Sequence, residues 1–233
     1  MSTVDRRSEL ARTGGRNTSS DAATSAMVAL IGSYADNKSA LGRRYGEWAV
    51  SGPTVEAAVA AAAMAQDELG HARASYPVLA KLGHARSDDG LDTGDALPVL
   101  RDELPDWASM IAANLVVDGI LTTWIASARD SSIEPLAQRA RKILQEEGAH
   151  KVHAESWAKR LCRAGGEDRA LLLRRIAEMW EQAAPWPGPD DDPGYRAILD
   201  EGMLAFGPDE VRGQVREWLT ALLEGEGCAV ELP

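Results

Sequence analysis

Two copies of a Glu-x-x-His motif constrain the fold of this chain more than any other feature of its sequence. The first copy runs from Glu68 to His71, and the second runs from Glu147 to His150. Residues three positions apart share one face of an α-helix, so each copy directs a carboxylate and an imidazole the same way. Iron and manganese accept such ligands. In four-helix carboxylate-bridged dimetal proteins, two helices each give such a motif and the other two each give one carboxylate.

The composition indicates a globular protein that is not a nucleic-acid or membrane protein. Hydrophobic residues make up 45% of the 233, enough for one domain with a substantial core. The net charge of -11 argues against a nucleic-acid partner. We find no apolar run near the ~20 residues of a membrane span and no apolar core of a signal peptide. Two cysteines are too few for a disulfide framework, so a cytoplasmic location is expected.

Hydrophobic periodicity predicts an all-α fold without strands. Residues 1–20 are polar and predict a disordered tail, followed by a single helical domain over residues 21–233. The predicted bundle helices cover residues 22–50, 55–82, 106–129 and 134–163, and residues 83–105 form a long connection with room for a short helix. Further helices are predicted at 169–184, 195–204 and 209–223. The expected architecture is a four-helix bundle of two antiparallel hairpins joined by a long crossover, plus C-terminal helices.

The hairpins place each motif opposite one residue of the neighbouring helix. In an antiparallel pair, residues equally distant from the turn lie at the same height along the bundle. Glu68 and Lys38 are equally far from the first turn, and Glu147 and Asp118 are about equally far from the second. Both motifs therefore lie deep in the bundle, where an isolated charge is costly. These side chains must be paired with one another or bind a metal.

The predicted metal site contains five ligands and lacks a sixth. The ligands are Glu68, His71, Asp118, Glu147 and His150. Lys38 occupies the height at which the first helix of a dimetal bundle supplies its carboxylate. Asp36 is two residues away and would serve as a ligand only if a π-bulge or a register slip turned it inward.

Lys38 has three interpretations. As an ammonium group it replaces the charge of one metal, which leaves a one-metal or metal-free site. As a neutral, desolvated amine it is a nitrogen ligand, because buried lysines shift their pKa readily. In the third interpretation it ties Glu68, Asp118 and Glu147 into a salt-bridged network without metal. Lys38, Glu68 and Glu147 are also the residues predicted to act in catalysis, whereas Asp67 and Glu146 are expected to face solvent or a neighbouring helix.

With these residues in place, the chain resembles the phenylacetic acid catabolic family, the ferritin-like subunits of bacterial phenylacetyl-CoA epoxidase. The segment over residues 35–73 is similar to the opening hairpin of the structural C subunit. NLVVDGILTTW and EEGAHKVH are similar to the third and fourth helices of the catalytic A subunit. The resemblance implies a ferritin-like fold and a non-haem di-iron centre that activates O2. The five ligands match family positions, and Lys38 departs from the sixth.

Three functions follow from these observations. The first is an O2-activating monooxygenase or oxygenase component, with one or two non-haem irons, or manganese, and a small-molecule substrate such as an aromatic acyl-CoA. The second is a non-catalytic structural subunit of a multicomponent oxygenase. The third is a ferritin-like metal-binding protein. The expected partners are a second copy of the chain or a homologous ferritin-like subunit, together with a reductase.

Overall fold

The computed structural model describes residues 3–86 and 96–233, with side chains from residue 20 onward. Seven α-helices and one turn of 3-10 helix, Pro98–Leu100, lie in these ranges, which contain no strand. The helices are α1 Thr3–Trp48, α2 Val55–Lys81, α3 Trp107–Ser127, α4 Glu134–Ala164, α5 Gly166–Ala183, α6 Pro193–Asp200 and α7 Pro208–Glu224. α1 pairs with α2 and α3 with α4, and the crossover joins the two hairpins. The predicted all-α, ferritin-like bundle is confirmed.

The first helix is longer than predicted. Its predicted start lies near residue 22, after a disordered tail, but α1 begins at Thr3. A polar segment without proline can continue a helix that the bundle already nucleates, because propagation costs far less than nucleation. The division of the chain into a tail over residues 1–20 and one domain over 21–233 stays a prediction.

The turn before α2, capped by Thr54, and Gly42 of α1 allow the two helices to approach closely. Thr54 caps α2, and its hydroxyl oxygen accepts a hydrogen bond from the backbone N–H of Ala57 at 3.1 Å. Gly42 faces α2 at such short range that a Cβ there would lie 3.0 Å from the Ala65 carbonyl oxygen. This contact lies one helical turn from Lys38, so the absence of a side chain at position 42 brings Lys38 close to the second helix.

α3 contains a π-helical turn at its centre. The turn covers Ala113–Asp118, and all of its residues are buried. Such turns add a residue to the helix and are frequent at functional sites, because they change the direction of the side chains that follow. From the sequence, a π-bulge was relevant only in α1, where it would turn Asp36 inward. The π-turn occurs instead in α3 and ends at Asp118.

α3 also forms the centre of the bundle. By length and composition alone, Trp107–Ser127 could cross a membrane, which corrects the expectation that no apolar run approaches that length. Of its apolar window, 83% is buried within the protein, a pattern that the core helix of a soluble protein shows as well.

The C-terminal helices cover the bundle from outside. α5 packs on α3 and α4, α6 packs on α1, and α7 packs on the second half of α3 and on α4. Trp218 of α7 lies against Gly119, where a Cβ would be 3.2 Å from the indole ring. The extension therefore forms part of the wall beside Asp118.

Candidate metal centre

The structure brings the five predicted ligands and Lys38 together in the middle of the bundle. α1 supplies Lys38, α3 supplies Asp118, and α2 and α4 supply one Glu-x-x-His motif each. None of the six residues is more than 4% exposed. They are Lys38, Glu68, His71, Asp118, Glu147 and His150.

The Lys38 ammonium lies among three carboxylates. Its Nζ is 2.8 Å from Glu68 Oε2, 2.5 Å from Asp118 Oδ1 and 2.6 Å from Glu147 Oε1. Bonds between charged partners at this range are stronger than neutral hydrogen bonds. Lys38 is therefore the centre of a buried charge network, and it joins three of the four bundle helices to α1.

Both histidines face the cluster through Nδ1. His150 Nδ1 is 3.2 Å from Glu68 Oε1 and from Glu147 Oε2, and 3.5 Å from Asp118 Oδ2. His71 Nδ1 is 3.1 Å from Glu147 Oε1 and 3.7 Å from Glu68 Oε2. Each imidazole thus contacts carboxylates from both motifs, with its other ring nitrogen turned outward.

An outer carboxylate holds each outward ring nitrogen, and the pairing crosses between the motifs. His71 Nε2 lies 2.9 Å from Glu146 Oε2, and His150 Nε2 lies 3.3 Å from Asp67 Oδ2. Histidines that bind metals commonly pair their second nitrogen with a carboxylate, which fixes the ring orientation. This role of Asp67 and Glu146 was not predicted from the sequence, which indicated only that they face solvent or a neighbouring helix. The signal was present, because each motif begins with two acidic residues in tandem.

Asp118 has its own supports. Asn114 Nδ2 donates a hydrogen bond to Asp118 Oδ2 at 3.0 Å and another to the Tyr45 hydroxyl at 3.0 Å. Asn114 precedes Asp118 by four residues, within the π-turn of α3. The turn therefore presents both side chains on the face that meets the cluster.

The cations of the cluster are stabilised in their charged forms. Burial alone would lower the pKa of Lys38, but Asp118, Glu147 and Glu68 raise it well above its ordinary value. This direction argues against the neutral-amine interpretation. Burial also opposes protonation of His71, yet its contacts with Glu147 and Glu68 raise the pKa of His71 to about 9. The pKa of His150 is raised by its three carboxylate neighbours.

The three carboxylates are ionised at neutral pH. Burial would raise the pKa of Glu68, but Lys38 and the two imidazoles outweigh it and lower that pKa to about 2. Lys38 likewise lowers the pKa of Glu147. Burial and the neighbouring carboxylates raise the pKa of Asp118 to about 6. Three carboxylates, one ammonium and two imidazolium groups sum to zero charge, so the metal-free cluster is balanced.

The donor set fits a single metal ion. Ligand atoms from Glu68, Asp118, Glu147 and His150 all lie within 4.8 Å of one another. Among the described residues, both Glu68 oxygens and both Nδ1 atoms lack a hydrogen bond of good geometry. Mixed carboxylate and imidazole donors suit iron or manganese. An ion bound by these atoms would compete with the Lys38 ammonium for the space between the carboxylates.

Asp36 lies outside the cluster. It is buried, and its Oδ1 accepts a hydrogen bond from Arg86 Nη2 at 2.5 Å. α1 therefore presents Lys38 to the cluster, while Asp36 ties the same helix to the start of the crossover.

Comparison with known proteins adds one family. The model of a family described as phenylacetic acid catabolic protein matches residues 8–232, nearly the whole chain. A search of curated proteins finds no match.

Proposed function

The chain belongs to the phenylacetic acid catabolic protein family, and we propose that it is an O2-activating oxygenase component whose buried cluster holds one non-haem iron ion. The observation that carries this proposal is the inward orientation of His71 and His150. Two imidazoles that are fixed by outer carboxylates and aimed at three buried carboxylates form a ligand set of the kind that oxygen-activating bundles use.

Glu68, Asp118, Glu147 and His150 would hold the ion, and His71 would stand beside it. When bound, iron supplies the redox chemistry with O2, while the protein supplies ligands and surroundings that exclude water. Lys38 Nζ donates a hydrogen bond to Glu147 Oε1 at 2.6 Å and so holds a proton at that carboxylate. These positions support the predicted catalytic roles of Lys38, Glu68 and Glu147.

Charge balance supports one ion rather than two. A divalent ion that replaces the two imidazolium protons leaves the net charge of the cluster unchanged if Lys38 keeps its proton. A second ion would add two positive charges, and α1 offers no carboxylate to balance them because Lys38 occupies that position. Buried excess charge is costly, so the single ion is favoured.

Membership of the family also supports the finer features of the proposal. The substrate would be a small molecule, such as an aromatic acyl-CoA. A separate reductase would supply electrons, and a second copy or a homologous ferritin-like subunit would be the partner. The site of action would be the cytoplasm.

Lys38 favours a second candidate, a non-catalytic subunit. Its ammonium already neutralises the carboxylates together with the two imidazolium groups, so the cluster needs no metal for charge balance. In that role the chain would support a homologue with a full ligand set and retain its own acidic residues as a buried network.

Metal analysis after expression with iron tests both candidates. The oxygenase proposal predicts bound iron, an iron-dependent near-ultraviolet absorption, and O2 consumption with a reductant. Glu147→Ala should lower bound iron severalfold while circular dichroism stays unchanged, whereas the surface control Glu210→Ala should bind iron like the wild type. Unchanged iron in Glu147→Ala would remove that residue from the site. Metal-free protein that copurifies with a ligand-complete homologue would favour the structural role. Metal uptake without an O2-dependent product would indicate a ferritin-like metal-binding protein.

A further inference from the structure

A small pocket connects the outer surface with the buried cluster. It lies between α3, α4 and α7, and its volume is about 100 Å³. Its lining includes the buried Asp118 and Glu147, which we take as its inner end, and the exposed Lys151 and half-buried Trp218, which we take as its outer end. This volume suits a few water molecules, and ligand pockets for larger organic molecules are roughly 300–1,000 Å³.

One buried acceptor in the pocket lacks a protein partner. Asn114 is 4% exposed, and no donor in the described part of the chain reaches its Oδ1. Its Nδ2 donates to Asp118 and Tyr45, which fixes the orientation of the amide. An unpaired buried acceptor is costly and can be satisfied only by a donor such as water, so this atom marks a polar position beside Asp118 and is not a contact for dioxygen.

Three contacts fix the position of Trp218 at the outer end of the pocket. Trp218 Nε1 donates a hydrogen bond to Glu155 Oε1 at 2.8 Å. Lys151 Nζ lies 4.6 Å above the indole ring, within the range of a cation–π contact. The ring edge rests on Gly119, whose missing side chain permits that approach. Trp218 is thus a fixed wall, supplied by the C-terminal extension.

We propose that this pocket admits a molecule of the size of dioxygen to the cluster, and that Trp218 sets the size limit. An aromatic acyl group does not fit this pocket while the indole stays in place, so an organic substrate of the proposed oxygenase would have to reach the cluster by another way. The inference rests on the proposed function for its chemical meaning, because O2 would be the co-substrate. Its test depends only on the geometry of the pocket.

Methyl NMR on the metal-free protein tests the proposal without any iron. With labelled threonine methyl groups, the spectra are compared under dioxygen and under dinitrogen at the same pressure. Paramagnetic O2 should enhance relaxation of the Thr122 and Thr123 methyl groups severalfold more than that of Thr54, which lines a pocket without cluster residues. Equal enhancement at all three positions would overturn the inference. A protein that binds no iron would contradict the proposed function and leave this readout intact.

The size limit has its own variants. Phenylacetamide, an uncharged aromatic amide, should leave the Thr122 and Thr123 methyl shifts unchanged in the wild type and shift them in Trp218→Ala. Trp157→Ala is the matched control, because Trp157 also lies beside a cation, with Arg160 4.7 Å away, but outside this pocket. Should Trp218→Ala fail to fold, Trp218→Leu replaces it. Shifts of equal size in the wild type and the Trp218 variant would refute the role of the indole.

Discussion

Replacing Lys38 with methionine removes the ammonium and keeps most of the side-chain volume. All three carboxylate contacts of Lys38 are 2.8 Å or shorter, and no partner exceeds 3% side-chain exposure. Loss of one member of a buried ion pair costs about 3–5 kcal/mol, because it leaves the partner charge uncompensated. In a domain of this size each kcal/mol lowers the melting temperature by about 2–4 °C, so metal-free Lys38→Met should melt about 6–20 °C below the wild type.

Thermal unfolding followed by circular dichroism measures this effect. Scans with a chelator report the metal-free state, and scans with iron(II) under nitrogen report the loaded state. Iron should raise the melting temperature more in Lys38→Met than in the wild type, because the ion no longer competes with the ammonium. Lys81→Met is the control, since Lys81 is exposed at the end of α2 and its loss should change stability by less than about 0.5 kcal/mol.

The loss of stability in metal-free Lys38→Met should also depend on pH. Without the ammonium, burial and mutual repulsion should raise the folded-state pKa values of the carboxylates, above all that of Asp118, which is about 6 even with Lys38 present. Such groups lose stability as the pH rises towards the folded-state pKa, so Lys38→Met should approach the wild type at pH 5 and fall furthest behind at pH 8. Metal-free Lys38→Met that melts within two or three degrees of the wild type at pH 8 would refute the reasoning.

Four further results are expected. Lys38→Glu should raise bound metal towards two ions per chain, because it supplies the missing carboxylate of α1; a fall to zero would show that the lysine supports the site. Metal-free wild type should lose stability between about pH 6.5 and 9, by roughly 3 kcal/mol from His71 alone, because the stability linked to its raised pKa is fully present below the unfolded value and is lost as the pH rises through 9; His150, whose pKa is also raised, adds to the loss. Urea titrations with a chelator measure that loss, and a flat profile would contradict it. Asp67→Asn should weaken metal binding about 10–100-fold in calorimetric titrations, since it no longer orients His150 as a carboxylate does; unchanged affinity would make the contact incidental. Gly42→Val should cost about 1–3 kcal/mol of unfolding free energy by forcing α1 away from α2, and an unaffected midpoint in urea would show that the helices can separate there without cost.

The sequence was sufficient for the bundle and for the position of the cluster. Hydrophobic periodicity and the turns between the predicted helices defined the hairpins, and equal distances from each turn placed Lys38 opposite Glu68. Those inferences depend on local periodicity and on antiparallel geometry, and both can be read from a single sequence. The start of α1 was wrong because polar composition was taken as a barrier to helix formation.

Other features of the site depend on the tertiary structure. No local residue pattern marks the π-turn that ends at Asp118. The crossed contacts of Asp67 and Glu146 require two helices from different hairpins, so the sequence showed the acidic pairs without showing what they hold. The wall formed by Trp218 depends on α7 folding back over Gly119, a contact between residues far apart in the chain.

The crossed pairing of the two motifs has a consequence for how such proteins can recombine. His71 is oriented by an acid of α4, and His150 is oriented by an acid of α2. A chimera that joins the first hairpin of one family member to the second hairpin of another inherits every ligand. Its imidazoles are oriented only if both parent proteins carry an acidic residue directly before the motif glutamate. The two hairpins are therefore interchangeable between relatives only as a matched set.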